Sequence, residues 1–345
     1  MKGRVLVLDE IDGRQAAALM LDGRLEELAI DPEGDVAIPG AIYRAVADRP
    51  VKGQGGIFVK LPGGSGFLRQ ISGVAPGQRL LVQVTGPAEP GKAIPVSTRL
   101  LFKSRFAIVT PDAPGLNISR KIKDEERRAD LSAMAEAGMA GADDRLGLIL
   151  RSGCLEAEDQ AIAEDIAAMR GLAEAVLADL SGPPELLVDG ASAHDLAFRD
   201  WLDPAVDEAD TEPDSFERQG VTEALETLRT PRVGLEGGGH MMLEPTRALV
   251  AVDVNTGPDT SPAAALKANV AAARDLPRQL RLRGLGGQVV VDFAPMPKRD
   301  RHILDQVMKS AFKAEGETNL AGWTTLGLYE LTRKRDRLPL SDLLR

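Results

Sequence analysis

The apolar runs ALVAVDV (248–254) and QVVVDF (288–293) flank a segment rich in Ala, Leu and Arg, residues 262–283. Apolar runs without alternation are typical of strands buried on both faces of a parallel sheet. A helix of the intervening length can carry the chain to a parallel neighbour, so we predict a right-handed βαβ unit. Pro277 lies inside the helical segment, where we expect a kink or a break because proline has no N–H to donate.

Asp253 and Asp292 lie near the ends of these two strands. Adjacent strands are about 4.8 Å apart, and open α/β sheets bind ligands just beyond the carboxyl ends of their strands. Two carboxylates at that edge repel each other unless a cation lies between them. Mg²⁺ fits because it takes one or two carboxylates and keeps water for a substrate phosphate. Asn255 should point the same way and could bond a metal-bound water.

The pattern alone leaves an alternative open, because an aspartate at a strand end often only caps a turn. Nor does the spacing of the two carboxylates identify the reaction that a metal would serve. Two histidines add little: His240 follows three glycines and is predicted to be a loop residue, and His302 is predicted to contact a phosphate.

The N-terminal half is predicted to contain a small barrel within an α/β domain. Residues 16–30 predict a hairpin with an Asp22–Gly23 turn. Residues 36–100 are rich in Gly and Pro and contain several short β runs, which predict the barrel. The surrounding domain would combine residues 1–35 and 101–190, with strands at 104–110 and 145–150 and helices at 124–136 and 156–180. The acidic segment 202–220 is predicted to be a loop or linker, because it has few apolar residues.

Charge and length set broad limits on function. The chain has 345 residues, enough for two or three folding units. Its net charge of −10 argues against nucleic-acid binding, since phosphate contacts need Lys and Arg. A basic groove on an acidic body would meet this objection, and solvated helix faces are the alternative. Basic residues cluster at four places: Arg120 and Lys121; Arg278, Arg281 and Arg283; Lys298, Arg299 and Arg301; Arg333, Lys334 and Arg335.

Cysteine content and hydropathy indicate the compartment. Cys154 is the only cysteine, which excludes an internal disulfide and a Cys-rich zinc site, and we interpret it as a small packing residue. No window approaches the roughly 18 uninterrupted apolar residues of a membrane helix. The N-terminus, MKGRVLVLDE, lacks the features of a secretory signal. We therefore expect a cytoplasmic protein with no membrane partner.

The stretch VAVDVNTG, followed by RQLRLRGLGGQVVVDF, closely resembles the catalytic core of the ribonuclease E/G family. Three more segments are similar to that family: SRKIKDEERR (119–128), LGLILRSG (146–153) and LGLYELTRKR (326–335). The resemblance implies an RNase H-like domain (1–35 and 101–190), interrupted by an OB-fold RNA-binding domain (36–100) and followed by a DNase I-like catalytic domain (191–345).

The resemblance also implies an activity. Family members are endoribonucleases that cut single-stranded, AU-rich RNA in RNA processing and decay, leaving a 5′-monophosphate and a 3′-hydroxyl. A single Mg²⁺, which Mn²⁺ may replace, would be held by Asp253 and Asp292, with Asn255 assisting. The metal would activate a water and stabilise charge on the scissile phosphate.

Further residues acquire binding roles from the resemblance. Arg151 and Ser152 match a pocket for a 5′-monophosphate, with Ser in place of the usual Thr; the alternative for Arg151 is a surface ion pair. Phe58 and Phe67 match base-stacking aromatics, and the alternative is that they belong to the barrel core. Three basic residues are also implied in RNA binding: Lys92, Arg120 and Lys121.

One departure from the family concerns assembly. The family's Cys-Pro-x-Cys motif, through which two subunits share a zinc, is absent after the segment 326–335, so no zinc is expected. An oligomer stays possible without that link. Two other functions are alternatives: an RNA- or ribosome-binding protein with little turnover, and a phosphohydrolase for a small nucleotide. The carboxylate pair favours the nuclease over the first, and the barrel with its two Phe residues argues against the second.

Overall fold

The computed structural model describes residues 3–51, 55–69, 73–89, 91–259 and 261–344. The fold is mixed α/β. The chain forms two compact units, one containing Ala18–Leu28 and Thr211–Arg345 and the other containing Arg4–Ala17 and Ala29–Asp210. No helix among the described residues is both long enough and apolar enough to cross a membrane.

The chain begins with three strands that are neighbours in one sheet: β1 (Arg4–Ile11), β2 (Arg14–Leu21) and β3 (Arg24–Ile30). The predicted hairpin with its Asp-Gly turn is confirmed. Asp22 and Gly23 have φ values of 51° and 78°, and two positive φ angles in a two-residue turn match the right-handed twist of the flanking strands.

A closed barrel of five strands follows, as predicted for residues 36–100. The hydrogen-bonded order is β4-β5-β6-β8-β7, and β7 pairs back with β4 to close the ring. Alternation places Ile57, Val59 and Leu68 inside. The strands are β4 (Ile42–Val51), β5 (Gly56–Leu61), β6 (Gly64–Leu68), β7 (Arg79–Val84) and β8 (Ile94–Ser97).

The next segment forms a second sheet with two long helices against it. The predicted helix at 124–136 is confirmed and begins after Asp124, whose side chain accepts from the Arg127 N–H. The strand at 145–150 and the long helix after it are also confirmed. The elements are β9 (Phe102–Lys103), β10 (Ala107–Pro111), β11 (Gly115–Ile118), α1 (Glu125–Gly138), β12 (Leu146–Leu150), α2 (Asp159–Ala178), β13 (Glu185–Val188) and α3 (Ala193–Asp200).

Two details of this segment differ from prediction. The strand expected at 104–110 was wrong in its first half, because the Asp165 carboxylate accepts from Ser104 Oγ and from the N–H groups of Phe106 and Ala107, which holds a turn there. In addition, β13 joins the barrel by pairing with β4. The buried Arg44 guanidinium secures β13 through an ion pair with Glu185.

The acidic segment 202–220 lies mostly outside helices and strands, as predicted, and the boundary between the two units falls inside it, after Asp210. It contains β14 (Glu208–Asp210), which pairs in parallel with β1, and α4 (Ser215–Arg218), followed by α5 (Val221–Leu228). Phe216 is buried and anchors α4. A buried aromatic side chain of this kind can hold a short helix within a segment that has few apolar residues.

The C-terminal sheet has six strands in the order β15-β16-β17-β18-β20-β19. The predicted βαβ unit is confirmed: β17 and β18 are parallel, paired from Leu249 and Gln288 to Asp253 and Asp292. The other pairs described in this sheet are antiparallel. Its elements are β15 (Arg232–Gly234), β16 (His240–Pro245), β17 (Leu249–Asn255), α6 (Pro262–Leu282), β18 (Gly287–Asp292), α7 (Arg301–Ala311), β19 (Thr318–Trp323), β20 (Tyr329–Arg333) and α8 (Leu340–Leu343).

This sheet is covered on one face only, contrary to the prediction of strands buried on both faces. Val252 and Val254 are buried in the core that α6 and α7 cover, whereas Asp253 between them is exposed. The open face carries Ala251 and Val290, which are only partly exposed. These apolar residues conceal the alternation in the sequence.

The helix α6 continues through Pro277, so the predicted break is wrong. Proline removes one hydrogen bond from the helix. Helices in folded proteins are held chiefly by the packing of their apolar face, and here Ala273, Leu276 and Leu280 are buried around the proline. The RNase H-like and DNase I-like identities of the domains stay predictions.

Candidate active site

Asp253 and Asp292 stand directly opposite each other on the parallel strands β17 and β18. Both side chains are exposed. Their neighbours Val252 and Val291 are buried under the helices, and strict alternation along a strand sends the aspartates to the open face. The pair thus lies at the carboxyl ends of both strands, as predicted, with both side chains on the open face of the sheet.

Asn255 completes a polar row on β17. Its amide Nδ2 donates to Asp253 Oδ2 at 2.7 Å, which fixes the orientation of that carboxylate. The amide oxygen of Asn255 is left for another donor or for a cation. The residue lies on the same face as Asp253, as predicted from the spacing of two.

His240 was wrongly predicted to be a loop residue. It begins β16 and pairs in register with Asn255, which places it on the open face beside the carboxylate pair. Its Nδ1 atom is buried without a hydrogen-bond partner among the described residues. The signal available in the sequence was the alternation after it, since Met241 and Leu243 are buried. The preceding glycines concealed that signal.

The donor set of the pair fits a hard divalent cation. Two carboxylates and an amide oxygen are the oxygen ligands that Mg²⁺ prefers, and neither carboxylate forms an ion pair with a described residue. Within the described parts of the chain, no group of three or more His, Cys, Asp or Glu side chains is arranged to hold a metal. A cation held by Asp253 and Asp292 would therefore keep most of its ligands as water.

Three arginines from two of the basic clusters form ion pairs inside the C-terminal unit. Arg281 pairs with Glu27 at 2.8 Å and with Glu315, and Glu315 also lies 3.6 Å from the buried Arg333. Arg278 pairs with Asp275 at 2.7 Å. For these three guanidiniums neither a solvated helix face nor an RNA contact is found, whereas Arg335 is exposed, as the alternative of a solvated face expects.

The residues matched to the 5′-phosphate pocket are already engaged by carboxylates. Arg151 donates to Asp200 at 2.7 Å and to the carbonyl oxygens of Ser104 and Arg199. Ser152 Oγ donates to Asp203. The alternative of an ion pair is thus realised for Arg151, and the role in sensing stays a prediction.

Asp200 gathers three cations around one carboxylate. Lys103 and Arg151 each approach Oδ1 at 2.7 Å, and Arg199 approaches Oδ2 at 2.9 Å. Burial raises the pKa of Asp200, but Arg199 and Lys103 outweigh it and lower that pKa to about 2. The carboxylate is therefore ionised throughout the physiological pH range.

The barrel carries an outward-facing aromatic pair. Phe58 and Phe67 are cross-strand partners whose ring centroids are 5.3 Å apart, and both are half-buried. They alternate with the inward Ile57, Val59 and Leu68, so the alternative that they form the barrel core is wrong. The Arg49 guanidinium lies 5.3 Å from the Phe58 ring.

These rings line a groove of about 860 Å³. Lys92 lines it too and is 64% exposed, with an ion pair to Glu89 at 2.7 Å. Such an exposed pair contributes only about 0–1 kcal/mol, so it leaves Lys92 able to contact a phosphate. Arg49 and Arg69 also line the groove and were missed, because neither belongs to a basic cluster in the sequence.

Arg120 and Lys121 lie in the turn between β11 and α1. Both are exposed, and neither has an ion-pair partner within the described residues. Their role in RNA binding stays a prediction. Cys154 is buried, its pKa raised to about 11 by that burial, which agrees with a packing role.

Comparisons with known proteins identify the family that the chain resembles. The Ribonuclease E/G family matches residues 102–212 and 206–336. Ribonuclease E of Nostoc sp. is 29% identical over 95% of this chain, which spans 56% of that relative. Ribonuclease G of Haemophilus influenzae is 26% identical, with 98% of this chain and 81% of the relative covered. Ribonuclease G of Escherichia coli is 26% identical, with 93% and 78% covered.

Proposed function

The chain belongs to the ribonuclease E/G family, and on this basis we propose that it is a metal-dependent endoribonuclease that cuts single-stranded RNA. The observation that carries the proposal is the in-register pair of exposed carboxylates, Asp253 and Asp292, on adjacent parallel strands. Like charges directly opposite on a sheet are unfavourable. Their retention on an open face is explained by a cation that they share.

The chemistry of the site follows from these side chains. A bound Mg²⁺ would lower the pKa of a water and offset charge on the scissile phosphate. Asp253 and Asp292 would hold that ion, and Asn255 holds the Asp253 carboxylate in one orientation through its 2.7 Å hydrogen bond. Water adds to phosphorus as the 3′ oxygen leaves with a proton, which yields a 5′-monophosphate and a 3′-hydroxyl. Mn²⁺ is expected to substitute for Mg²⁺ because it also prefers oxygen ligands.

The barrel groove supplies substrate binding. Stacking on Phe58 and Phe67 requires unpaired bases, which favours single-stranded RNA, and it tolerates any base. Arg49, Arg69 and Lys92 lie in the same groove and supply the positive charge that a phosphate backbone requires. AU-rich RNA is the proposed substrate because its weak pairing keeps it single-stranded.

The proposal is tested with an AU-rich RNA presented as a single strand and as a duplex. We expect cleavage of the single strand in Mg²⁺ or Mn²⁺ and none in EDTA, with 5′-phosphate and 3′-hydroxyl ends on the products. Binding without cleavage in either metal would instead support a non-catalytic RNA-binding protein. Equal cleavage of the duplex would contradict a role for stacking.

We propose further that the chain binds a 5′-monophosphate only by displacing its own carboxylates. A phosphate at Arg151 and Ser152 must compete with Asp200 and Asp203. The wild type should therefore prefer 5′-monophosphorylated over 5′-hydroxyl RNA by less than about tenfold, or about 1.4 kcal/mol. Asp203→Asn, at an exposed position, weakens the competitor of the phosphate and should increase the ratio. Arg151→Ala should abolish it.

The ratio of cleavage rates on the two RNAs measures this preference. Arg145→Ala is the matched control, because Arg145 is an exposed arginine of the same unit that is paired with Asp143. Its ratio should equal that of the wild type. Identical rates on both RNAs, in the wild type and in Asp203→Asn alike, would remove the sensor assignment.

A further inference from the structure

The basic clusters of the C-terminal unit differ in how far carboxylates neutralise them. Arg281 and Arg333 are paired with Glu27 and Glu315, and Lys334 is paired with Glu317. The remaining cluster consists of Lys298, Arg299 and Arg301, and we call it the basic edge. Within the described residues, Lys298 and Arg301 have no ion-pair partner.

The third member of the basic edge, Arg299, is only weakly neutralised. Arg299 is 86% exposed, and its closest carboxylate, on Asp300, is 3.8 Å away. An exposed pair at that distance contributes little. The basic edge thus retains most of its positive charge, in a protein whose net charge is −10.

The basic edge begins six residues after Asp292 in the chain. Lys298 to Asp300 form a short turn after β18, the strand that ends at Asp292, and Arg301 begins α7. The Arg301 guanidinium lies 4.5 Å from the Trp323 ring centroid. Trp323 in turn packs at 5.8 Å on Phe293, which follows Asp292 in the chain and is buried in the core under the helices.

Arg301 and its aromatic partner Trp323 are each held in place by a further contact. Trp323 is fixed by a hydrogen bond from its Nε1 to Asp305 at 2.9 Å. A Cβ at Gly327 would lie 3.0 Å from Arg301 Nη2, so the hairpin between β19 and β20 closes over the guanidinium. Because the charge is fixed without a carboxylate, an anion can bind there with little loss of side-chain entropy.

We propose that Lys298, Arg299 and Arg301 form a binding site for backbone phosphates of single-stranded RNA beside the scissile phosphate. The inference rests on the proposed nuclease function and deepens it. The site would contact phosphodiesters, because guanidinium and ammonium groups bind phosphate oxygens without reading the sequence. It holds the strand next to Asp292 while the metal site acts.

Salt dependence of binding measures this role. Each phosphate of a single strand that a protein cation neutralises contributes about −0.7 to the slope of log affinity against log salt concentration. The double variant Lys298→Ala/Arg299→Ala should therefore have a slope that is shallower by about 1.4. Binding of a fluorescent single-stranded RNA is followed by anisotropy in EDTA, so that no cleavage occurs.

The matched control removes the same charge from another part of the C-terminal unit. Lys309 and Lys313 are exposed, lie near the other end of α7 and have no ion-pair partner among the described residues. Lys309→Ala/Lys313→Ala should keep the wild-type slope. If both double variants lose slope equally, the effect reflects overall charge and the proposal is overturned. An unchanged slope in Lys298→Ala/Arg299→Ala would overturn it as well.

The proposal and the nuclease function fail separately. If the wild type cuts no RNA in Mg²⁺ but the slopes differ as expected, the nuclease proposal is wrong and the basic edge still binds RNA. If the wild type cuts RNA and the two double variants have the same slope, the proposed role of the basic edge is wrong and the nuclease proposal stands.

Discussion

Asp253→Asn and Asp292→Asn are each expected to lower the rate of RNA cleavage in Mg²⁺ by more than about 100-fold. Loss of a group that only orients a metal ligand costs about 10–100-fold in affinity or activity, so loss of the ligand itself should cost more. The measurement is cleavage of a labelled AU-rich single strand at saturating metal, compared with the wild type.

The same variants should not unfold. Both aspartates are exposed, and each faces a like charge across the strand pair, which is unfavourable without a cation. In EDTA the Tm of each variant should equal or exceed that of the wild type. Metal bound to the folded state adds about 2.7 kcal/mol at a concentration of 100 times Kd. Mg²⁺ should therefore raise the Tm of the wild type and leave that of the variants unchanged.

Glu330→Gln is the matched control for these two variants. Glu330 is exposed on the adjacent strand of the same open face and pairs in register with Val290, two positions before Asp292. Its loss of one carboxylate charge should change neither cleavage nor the response of the Tm to Mg²⁺. Asp292→Asn behaving like Glu330→Gln would leave the metal proposal without support.

The carboxylate pair could be predicted because its information is local. Two apolar runs, the length between them and the position of one aspartate in each fix a parallel pair, and the structure places Asp253 opposite Asp292. The open face could not be predicted, because Ala251 and Val290 are apolar although they face outward. His240 was missed for a related reason, since its strand begins directly after a run of glycines.

The roles of the arginines depend on contacts that are distant in the chain. Arg281 pairs with Glu27, Glu26 and Glu315. Two of these partners lie near the N-terminus, so the sequence around Arg281 does not distinguish a buried ion pair from a phosphate contact. The same limit explains why β13 was not predicted to join the barrel, where Arg44 holds it through Glu185.

Phe58→Ala and Phe67→Ala are each expected to weaken binding of single-stranded RNA by about 1–3 kcal/mol, the contribution of one base stacked on an aromatic ring. Both rings face the groove and are only half-buried, so the barrel core is untouched and the Tm should change little. The two rings contact each other, so the double variant should lose less than the sum of the single losses.

Affinity measured by anisotropy in EDTA tests these values, with Phe198→Ala as the control because Phe198 is a 45% exposed phenylalanine of the same unit outside the groove. Stacking carries no charge, so Phe58→Ala should lower the affinity without changing its salt slope, whereas loss of Lys298 and Arg299 should change the slope. Because every base has an aromatic face, poly(A) and poly(U) should lose affinity alike. A loss confined to one polymer, or a large fall in Tm with unchanged affinity, would contradict the stacking role.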